Sequence, residues 1–541
     1  MITDVFTIYI SLLAVIVFVS LVFYRAGVPV SLLLVIAGMF LSLVPHFPPI
    51  SIHSEVVLNI FLPLLLYQGG AYASWRDFKK NMRPIILLSV GHVLFVTVLI
   101  AVIMHYIIPG LSWPLAFVLG AVIAPPDDVA IIAIADKIHF PQSIVTVLKG
   151  EGLLNDATAL TLFRFSLAAL VSHSFHPLQA VNTFALVVVG ELLYGIALGH
   201  LIGQIRLRVH DSNLQILISL ITPFMAFLLP EKLGGSGVIA TVTTGVVIGN
   251  YYLERMQPEV RLTSRAVWTT LEFTLQNLLF LLVGLELRFI VSRISNIPSA
   301  SLLLYSTVII LTVVIGRFIW VFAGAYLPQF FMPSLRKVDP YPPWQFPFVI
   351  SWAGMRGGIS LAAALAVPSL TPAIDGVNPR DLLVFLVFCV IAATLLIQGL
   401  SLPWLMQTLG ITRHGEREKY LEHVTELSAR LVICKMVLKW LLKYSKQVEH
   451  DQRLSEEVKL RIRECKTFKK QLSDRLHRHG NDPEHDQVLE SQEAAFVLLQ
   501  MIEVERSVIA RLWDTSRIGF SIKNKLIQQL DHREKHLSGY I

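Results

Sequence analysis

Charge is what this sequence has least of. Only 15% of its 541 residues are Asp, Glu, Lys or Arg, while 54% are hydrophobic; a soluble protein carries about 25% charge. The shortage is also uneven: 24 of the 45 basic and 20 of the 38 acidic residues lie from Arg413 onward. Cysteine is scarce too, and Cys389, Cys434 and Cys465 form neither a disulfide framework nor a metal-ligand spacing. The tail has no nucleotide-binding glycine loop and no EF-hand pattern, so no cofactor is implied. The N-terminus lacks a basic n-region. Its apolar run from Val5 to Phe23 is long, and Arg25 follows the run, so it reads as a first membrane helix and not as a cleaved signal. No histidine occurs from Val238 through Arg413. An intramembrane serine protease built on the Gly-Gly-Ser-Gly stretch at 234–237 would therefore lack its later base. The net charge of +7 calls for no nucleic acid, because basic residues are expected at cytoplasmic membrane edges.

What is present before residue 413 is a string of apolar stretches. Many are about 20 residues long, enough for a helix to cross ~30 Å of hydrocarbon. The expected fold is an all-α polytopic membrane protein with thirteen spans, near 5–23, 28–44, 55–73, 84–108, 113–135, 144–171, 181–205, 213–230, 235–252, 266–284, 301–327, 346–367 and 382–409. An odd number places the termini on opposite sides. With the tail inside, the cytoplasmic loops hold thirteen basic residues, among them Arg76, Lys79, Lys80 and Arg83, and the external loops hold four: Lys232, Arg288, Arg293 and Arg380. That bias puts the N-terminus outside and the C-terminus in the cytoplasm. The tail shows helical apolar spacing over 422–444 and 490–513. Its "LVICKMVLKWLLKYSK" stretch (431–446) suits either a core helix of a small bundle or a helix lying along the membrane surface.

Against this apolar background the intramembrane polar residues stand out. Asp156 falls well inside span six, where an ionised carboxylate costs several kcal/mol unless it is paired or hydrated. It is a candidate holder of a proton or a desolvated cation. Asn155 offers an amide oxygen that either ligates a hard cation or holds Asp156 in place. Glu151 and Asn155, four apart, share a helix face, and Asp156 is turned about 100° from Asn155. Glu151 is therefore a candidate ion-pair partner for a buried arginine.

Span five contains "AVIAPPDDVAII" (121–132). Pro125 and Pro126 remove two backbone donors and break the helix. Such breaks are tolerated at membrane depth only where protein or water covers the freed carbonyls. Asp127 and Asp128 follow directly; Asp127 is a candidate for the ion site, while Asp128 is equally suited to capping the second half-helix. Span twelve contains "SWAGMRGGISLAAALAVP" (351–368), where Gly354, Gly357 and Gly358 flank Arg356. That arginine needs an anion or the negative ends of half-helices, with Glu151 as the candidate anion. The interrupted spans are seven apart and so run in opposite directions, the pattern of inverted repeats with broken helices meeting at a midplane site. Spans four to six and eleven to thirteen would be the repeats. Gly195, Gly199 and Gly203 form a small-residue packing face on span seven, shared by Glu191 and suited to helix packing or a dimer contact. Arg164 suits pairing with a carboxylate, reaching a membrane edge or a structural role, and is a candidate accessory to the ion site with Asp128 and Gln68; Glu272 and Arg317 read similarly to Arg164, as charged-pair or structural residues.

These stretches, with "GEGLLNDATALTLFRF" (150–165), "SGVIATVTTGVVIG" and "LEFTLQNLLFLLVGLEL", resemble bacterial sodium/proton antiporters of the monovalent cation:proton antiporter-1 family, relatives of the animal exchangers. The resemblance covers most of residues 1–410. It implies a transmembrane antiporter domain over 1–410, with core spans 84–171 and 301–409, a cytoplasmic helical domain over 411–541, and a homodimer whose six-helix cores move against dimerisation domains. It further implies Asp156 as the shared carrier of Na⁺, or of Li⁺ or K⁺, and of the proton, with Asn155 beside it. Asp127 would lie at the crossing of the broken helices, and Glu151 would pair with Arg356. Asn before Asp accompanies electroneutral exchange in this family, and two adjacent aspartates accompany electrogenic exchange. The sequence departs from the pattern at Gly152, often Ser; at Gln68, often acidic; and at Asp128, often Pro or Ala. These departures bear on the ligand set and on the choice between Na⁺ and K⁺.

Overall fold

The computed structural model describes residues 2–23, 30–44, 54–127, 131–132, 140–172, 177–294, 297–331, 341–368, 377–447 and 452–479. Over these residues the chain is helical, in two compact units, 1–418 and 419–541. Seven helices are long and apolar enough to cross a membrane, and four shorter apolar helices accompany them among the described residues.

The main helices of the first unit are α1 (Ile2–Val22), α2 (Val30–Leu43), α3 (Leu62–Ala71), α4 (Val93–Ile107), α5 (Trp113–Ile123), α6 (Gln142–Ser172), α7 (Pro177–Arg208) and α8 (Ser212–Lys232). They continue with α9 (Val238–Val247), α10 (Pro258–Leu285), α11 (Ser299–Phe331), α12 (Gln345–Trp352), α13 (Gly358–Leu365), α14 (Pro379–Ala393) and α15 (Gly399–Thr408). Two groups emerge from their packing. In one, α2 lies along α10, and α9 is held between α3, α7 and α8. In the other, α5 packs between α4 and α6, α11 on α4 and α12, and α13 on α14. The groups meet where α10 touches α13 and where α6 touches α3 and α9. We call the first the scaffold and the second the core. Apolar side chains such as Phe18 on α1, Leu193 on α7, Leu217 on α8 and Ile315 on α11 point outward, as a lipid-facing surface requires.

The glycine face on α7 is occupied within the chain. A Cβ at Gly195 would meet Ala240 of α9, and one at Gly199 would meet Val247, so these glycines set the close approach of α7 to α9. The neighbouring Glu191 is buried and serves the same contact. Its carboxylate accepts N–H bonds from Ser236 (2.5 Å), Gly237 (2.9 Å) and Ile239 (3.1 Å), and a hydroxyl bond from Ser236. It therefore satisfies the orphan donors at the start of α9 and lies at the positive end of that helix. The Gly-Gly-Ser-Gly turn is thus a capped helix start.

In the second unit α16 (Ile411–Gln447), which begins in the first unit, is followed by α17 (Gln452–His479). Its described core joins Leu431, Cys434 and Cys465, so the 431–446 stretch packs on a partner helix through at least one face. The expected helix over 490–513 lies outside the described residues.

Candidate ion-binding site

The expected break in span twelve is present. Helix α12 ends at Trp352, residues 354–357 are non-helical, and α13 resumes at Gly358. Helix α5 likewise ends at Ile123, just before Pro125 and Pro126. The two interruptions touch: the Asp127 N–H donates to the Met355 carbonyl at 2.7 Å. A Cβ at 357 would collide with the Asp127 carboxylate, which is why glycine is required there. Asp128 lies outside the described residues.

Each broken end leaves carbonyls without helical partners, and two buried arginines supply them. Arg356, 0% exposed, donates from Nε to the Ile123 carbonyl and from Nη1 to the Gly354 carbonyl, both at 2.6 Å. Its own N–H donates to Thr394 Oγ1 at 3.1 Å. Arg317, from the middle of α11, donates from Nε to the Ile350 carbonyl at 3.1 Å. Each guanidinium thus caps the negative end of one half-helix.

Glu151 does not form its two-pronged ion pair with Arg356. Its carboxylate accepts from Arg317, Nη1 at 2.7 Å and Nη2 at 2.9 Å, with both side chains buried. The expected Glu151–Arg356 pair is therefore corrected to Glu151–Arg317. The glycines around Arg356 marked a break, and the break itself, through its freed carbonyls, provides what that arginine binds. Gly354 matters to Arg317 as well, since a Cβ there would strike the Arg317 side chain.

Helix α6 divides its polar residues by face. Glu151 and Asn155 turn into the protein, at 1% and 0% exposure. Asn155 Nδ2 donates to the Pro126 carbonyl at 2.6 Å, so this amide braces the proline break. The second face carries Lys149, Gly152, Leu153 and the half-buried Asp156, all of which line a cavity of about 460 Å³. Asp127 lines it too, from the crossing, as do Gln68, Glu272 and Gln276 from the scaffold and Gly357 and Ser360 from the core. Among the described residues its lining holds the carboxyl groups of Asp127, Asp156 and Glu272 against one ammonium, that of Lys149.

Gln68 lines this cavity but engages Glu272, with Nε2 donating to Oε2 at 2.5 Å, while Gln276 Nε2 donates to Oε1 at 3.1 Å. Glu272 is therefore a held, cavity-lining carboxylate and not only a packing residue of α10. Two signals pointed to this surface: Gln276 lies four residues after Glu272, and Lys149 lies seven before Asp156, two helical turns on the same face. Arg164 does not line the cavity. Its Nη2 pairs with Glu231 of α8 at 3.0 Å and its Nη1 donates to the Gly235 carbonyl, tying α6 to the turn that Glu191 caps.

A family model described as the transmembrane sodium/hydrogen exchanger matches residues 11–408. The chain is 34% identical over 385 residues to an uncharacterized Na⁺/H⁺ exchanger of Mycobacterium tuberculosis, covering 70% of each. It is 30% identical over 394 residues to a sodium, potassium, lithium and rubidium/H⁺ antiporter of Bacillus pumilus, covering 70% of this chain and 58% of that protein. The fold is similar to that of the sodium proton antiporter MjNhaP1 from Methanocaldococcus jannaschii, with a TM-score of 0.59 at 16% identity, over 75% of this chain and 98% of the other. With its broken helices touching beside a carboxylate-lined cavity, this integral membrane protein belongs to the sodium/hydrogen exchanger family.

Proposed function

We propose that this protein exchanges a monovalent cation for a proton, one for one, on the single carboxylate of Asp156. The observation that carries this reading is the division of α6: Asn155 is committed to the Pro126 carbonyl, and Asp156 lines the cavity beside Asp127. Cation and proton compete for Asp156, with Asp127 and nearby backbone oxygens completing the cation's shell. A desolvated cation needs several oxygens, and a site at a helix break has carbonyls to offer. Exchange follows if core and scaffold shift relative to each other, so that the cavity closes on one side and opens on the other.

The same proposal includes thirteen spans built as inverted repeats, a homodimer in the bacterial plasma membrane, an external N-terminus and a cytoplasmic C-terminus. The cavity includes Ser74, Phe78 and Gln142. Ser74 precedes, and Phe78 lies within, the short basic helix Trp75–Lys80 that carries Arg76, Lys79 and Lys80, which the charge bias places inside. The described state is then inward-facing.

The test is a proteoliposome assay with an internal pH dye and imposed gradients of Na⁺, Li⁺ or K⁺. Uphill proton movement driven by a cation gradient is expected, with no membrane potential generated. Sustained single-channel currents without uphill coupling would overturn the proposal. The rate should be bell-shaped in pH. On the acidic side protons occupy Asp156, so the apparent cation KM should rise about tenfold per pH unit as the unprotonated fraction falls; on the alkaline side too few protons remain to exchange. K⁺ is the second candidate cation, favoured by the likeness to the Bacillus pumilus antiporter.

Glu272 supplies a further expected outcome. One carboxylate at a cavity wall raises local cation concentration. Glu272→Gln should therefore raise the apparent cation KM by about threefold to tenfold, from a Coulomb term of about 1 kcal/mol, with little change in maximal rate. An unchanged KM at low ionic strength would remove Glu272 from the cation's path.

A further inference from the structure

We propose that Cys434 and Cys465 form an oxidation site: a thiol pair that closes to a disulfide and clasps α16 to α17. The sequence gives no hint of it, because 31 positions separate the two cysteines. The contact of α16 with α17 removes that distance. Cys434 lies thirteen residues before the end of α16 at Gln447, and Cys465 lies thirteen after the start of α17 at Gln452. Two antiparallel helices joined by a short connection bring such positions to the same height.

Their Sγ atoms are 3.2 Å apart. Each thiol also reaches across to the other cysteine's backbone, Cys434 Sγ to the Cys465 carbonyl at 3.3 Å and Cys465 Sγ to the Cys434 carbonyl at 3.5 Å. A disulfide bond is about 2.05 Å long, so bridging requires an approach of little more than 1 Å. Both side chains point into the seam, where Leu431 and Cys465 pack on Cys434. Cys434 is buried and Cys465 half-buried, which assigns their roles. A peroxide reaches Cys465 first. Its thiolate attacks one peroxide oxygen, the O–O bond breaks, hydroxide leaves, and a sulfenic acid forms. The Cys434 sulfur then attacks the Cys465 sulfur, the S–O bond breaks, and water leaves. The two thiols lose two protons and two electrons, and the peroxide is reduced to two waters.

Burial, together with the neighbouring Cys434, pushes the Cys465 thiol above the ordinary thiol range. At neutral pH Cys465 is therefore held as a thiol, and bridging is slow. Because the thiolate is the nucleophile, bridging should accelerate about tenfold per pH unit below that raised pKa. The pair responds to sustained peroxide and resists brief exposure.

The test uses the full chain in detergent micelles, treated with hydrogen peroxide. Accessible thiols under denaturing conditions should fall from three to one, read by a maleimide-polymer gel shift. Mass spectrometry should find one linked peptide, Cys434 to Cys465, within a single chain. Cys389→Ser should leave that link intact, and Cys434→Ser or Cys465→Ser should abolish it. Tryptic cleavage between the two cysteines should leave fragments joined until a reductant is added. Links between two chains, or Cys465 carried to the sulfinic acid while Cys434 stays reactive to maleimide, would overturn the proposal.

Discussion

Asp156→Ala should reduce cation/proton exchange in proteoliposomes to the level of empty vesicles while the protein still folds, purifies and reconstitutes. The loss is expected to be complete because the proposed mechanism has one shared carrier: without its carboxylate, proton and cation have no common site to compete for. Folding should survive because Asp156 is half-buried on a cavity wall and not locked into the core. Removing a carboxylate from a wall that already holds two others relieves like-charge repulsion, so the thermal midpoint should hold or rise. Full exchange by a correctly folded Asp156→Ala protein would sink the assignment. The adjacent position should behave differently. Asn155→Ala deletes the brace to the Pro126 carbonyl and leaves that acceptor unsatisfied, at about 1–3 kcal/mol. Its expected signature is a lower thermal midpoint together with weakened exchange.

The second large effect is structural. Glu151→Leu alone should destabilise the protein by about 3–5 kcal/mol, the usual result of stranding one partner of a buried ion pair. Arg317→Met alone should do the same, since it strands Glu151 and also frees the Ile350 carbonyl. Combining Glu151→Leu with Arg317→Met should recover the part of the loss due to the stranded charge, because an apolar pair of similar volume replaces a buried pair at little net change, while the freed Ile350 carbonyl keeps its own cost of about 1–3 kcal/mol. Thermal melting of detergent-solubilised protein, followed by size-exclusion fluorescence, measures each variant. Arg356→Met should not be rescued by Glu151→Leu, because Arg356 serves the Ile123 and Gly354 carbonyls. A rescue of Arg356→Met and none of Arg317→Met would reverse the pairing described here.

That pairing shows where the reading of residues stopped. The break in span five was legible because proline cannot donate a hydrogen bond or continue a helix, whatever surrounds it. The break in span twelve was legible from three glycines within five residues. The separation of Asn155 from Asp156 followed from the 100° helical step, and the structure puts the two on different surfaces. Arg317 gave no such sign. It is an arginine in an otherwise unbroken apolar helix, and nothing local distinguishes a residue that pairs with Glu151 from one that reaches the membrane edge. Glu272 was obscured in the same way: its neighbours Gln68 and Gln276 lie 204 and 4 positions away, and only the nearer is visible along the chain.

By itself, the sequence determined that the chain is a membrane protein, that two of its spans are interrupted, and that Asp156 is the carboxylate to explain. Each of these follows from a local rule: hydrophobic length, the chemistry of proline and glycine, and the penalty for charge in hydrocarbon. Only the tertiary structure decided which arginine neutralises Glu151, which carbonyls Arg356 caps, that Gln68 holds Glu272, and that Cys434 meets Cys465. Those are choices among distant partners of the same chemical type. Helix packing makes them, because it alone sets which faces of two helices approach within hydrogen-bond distance.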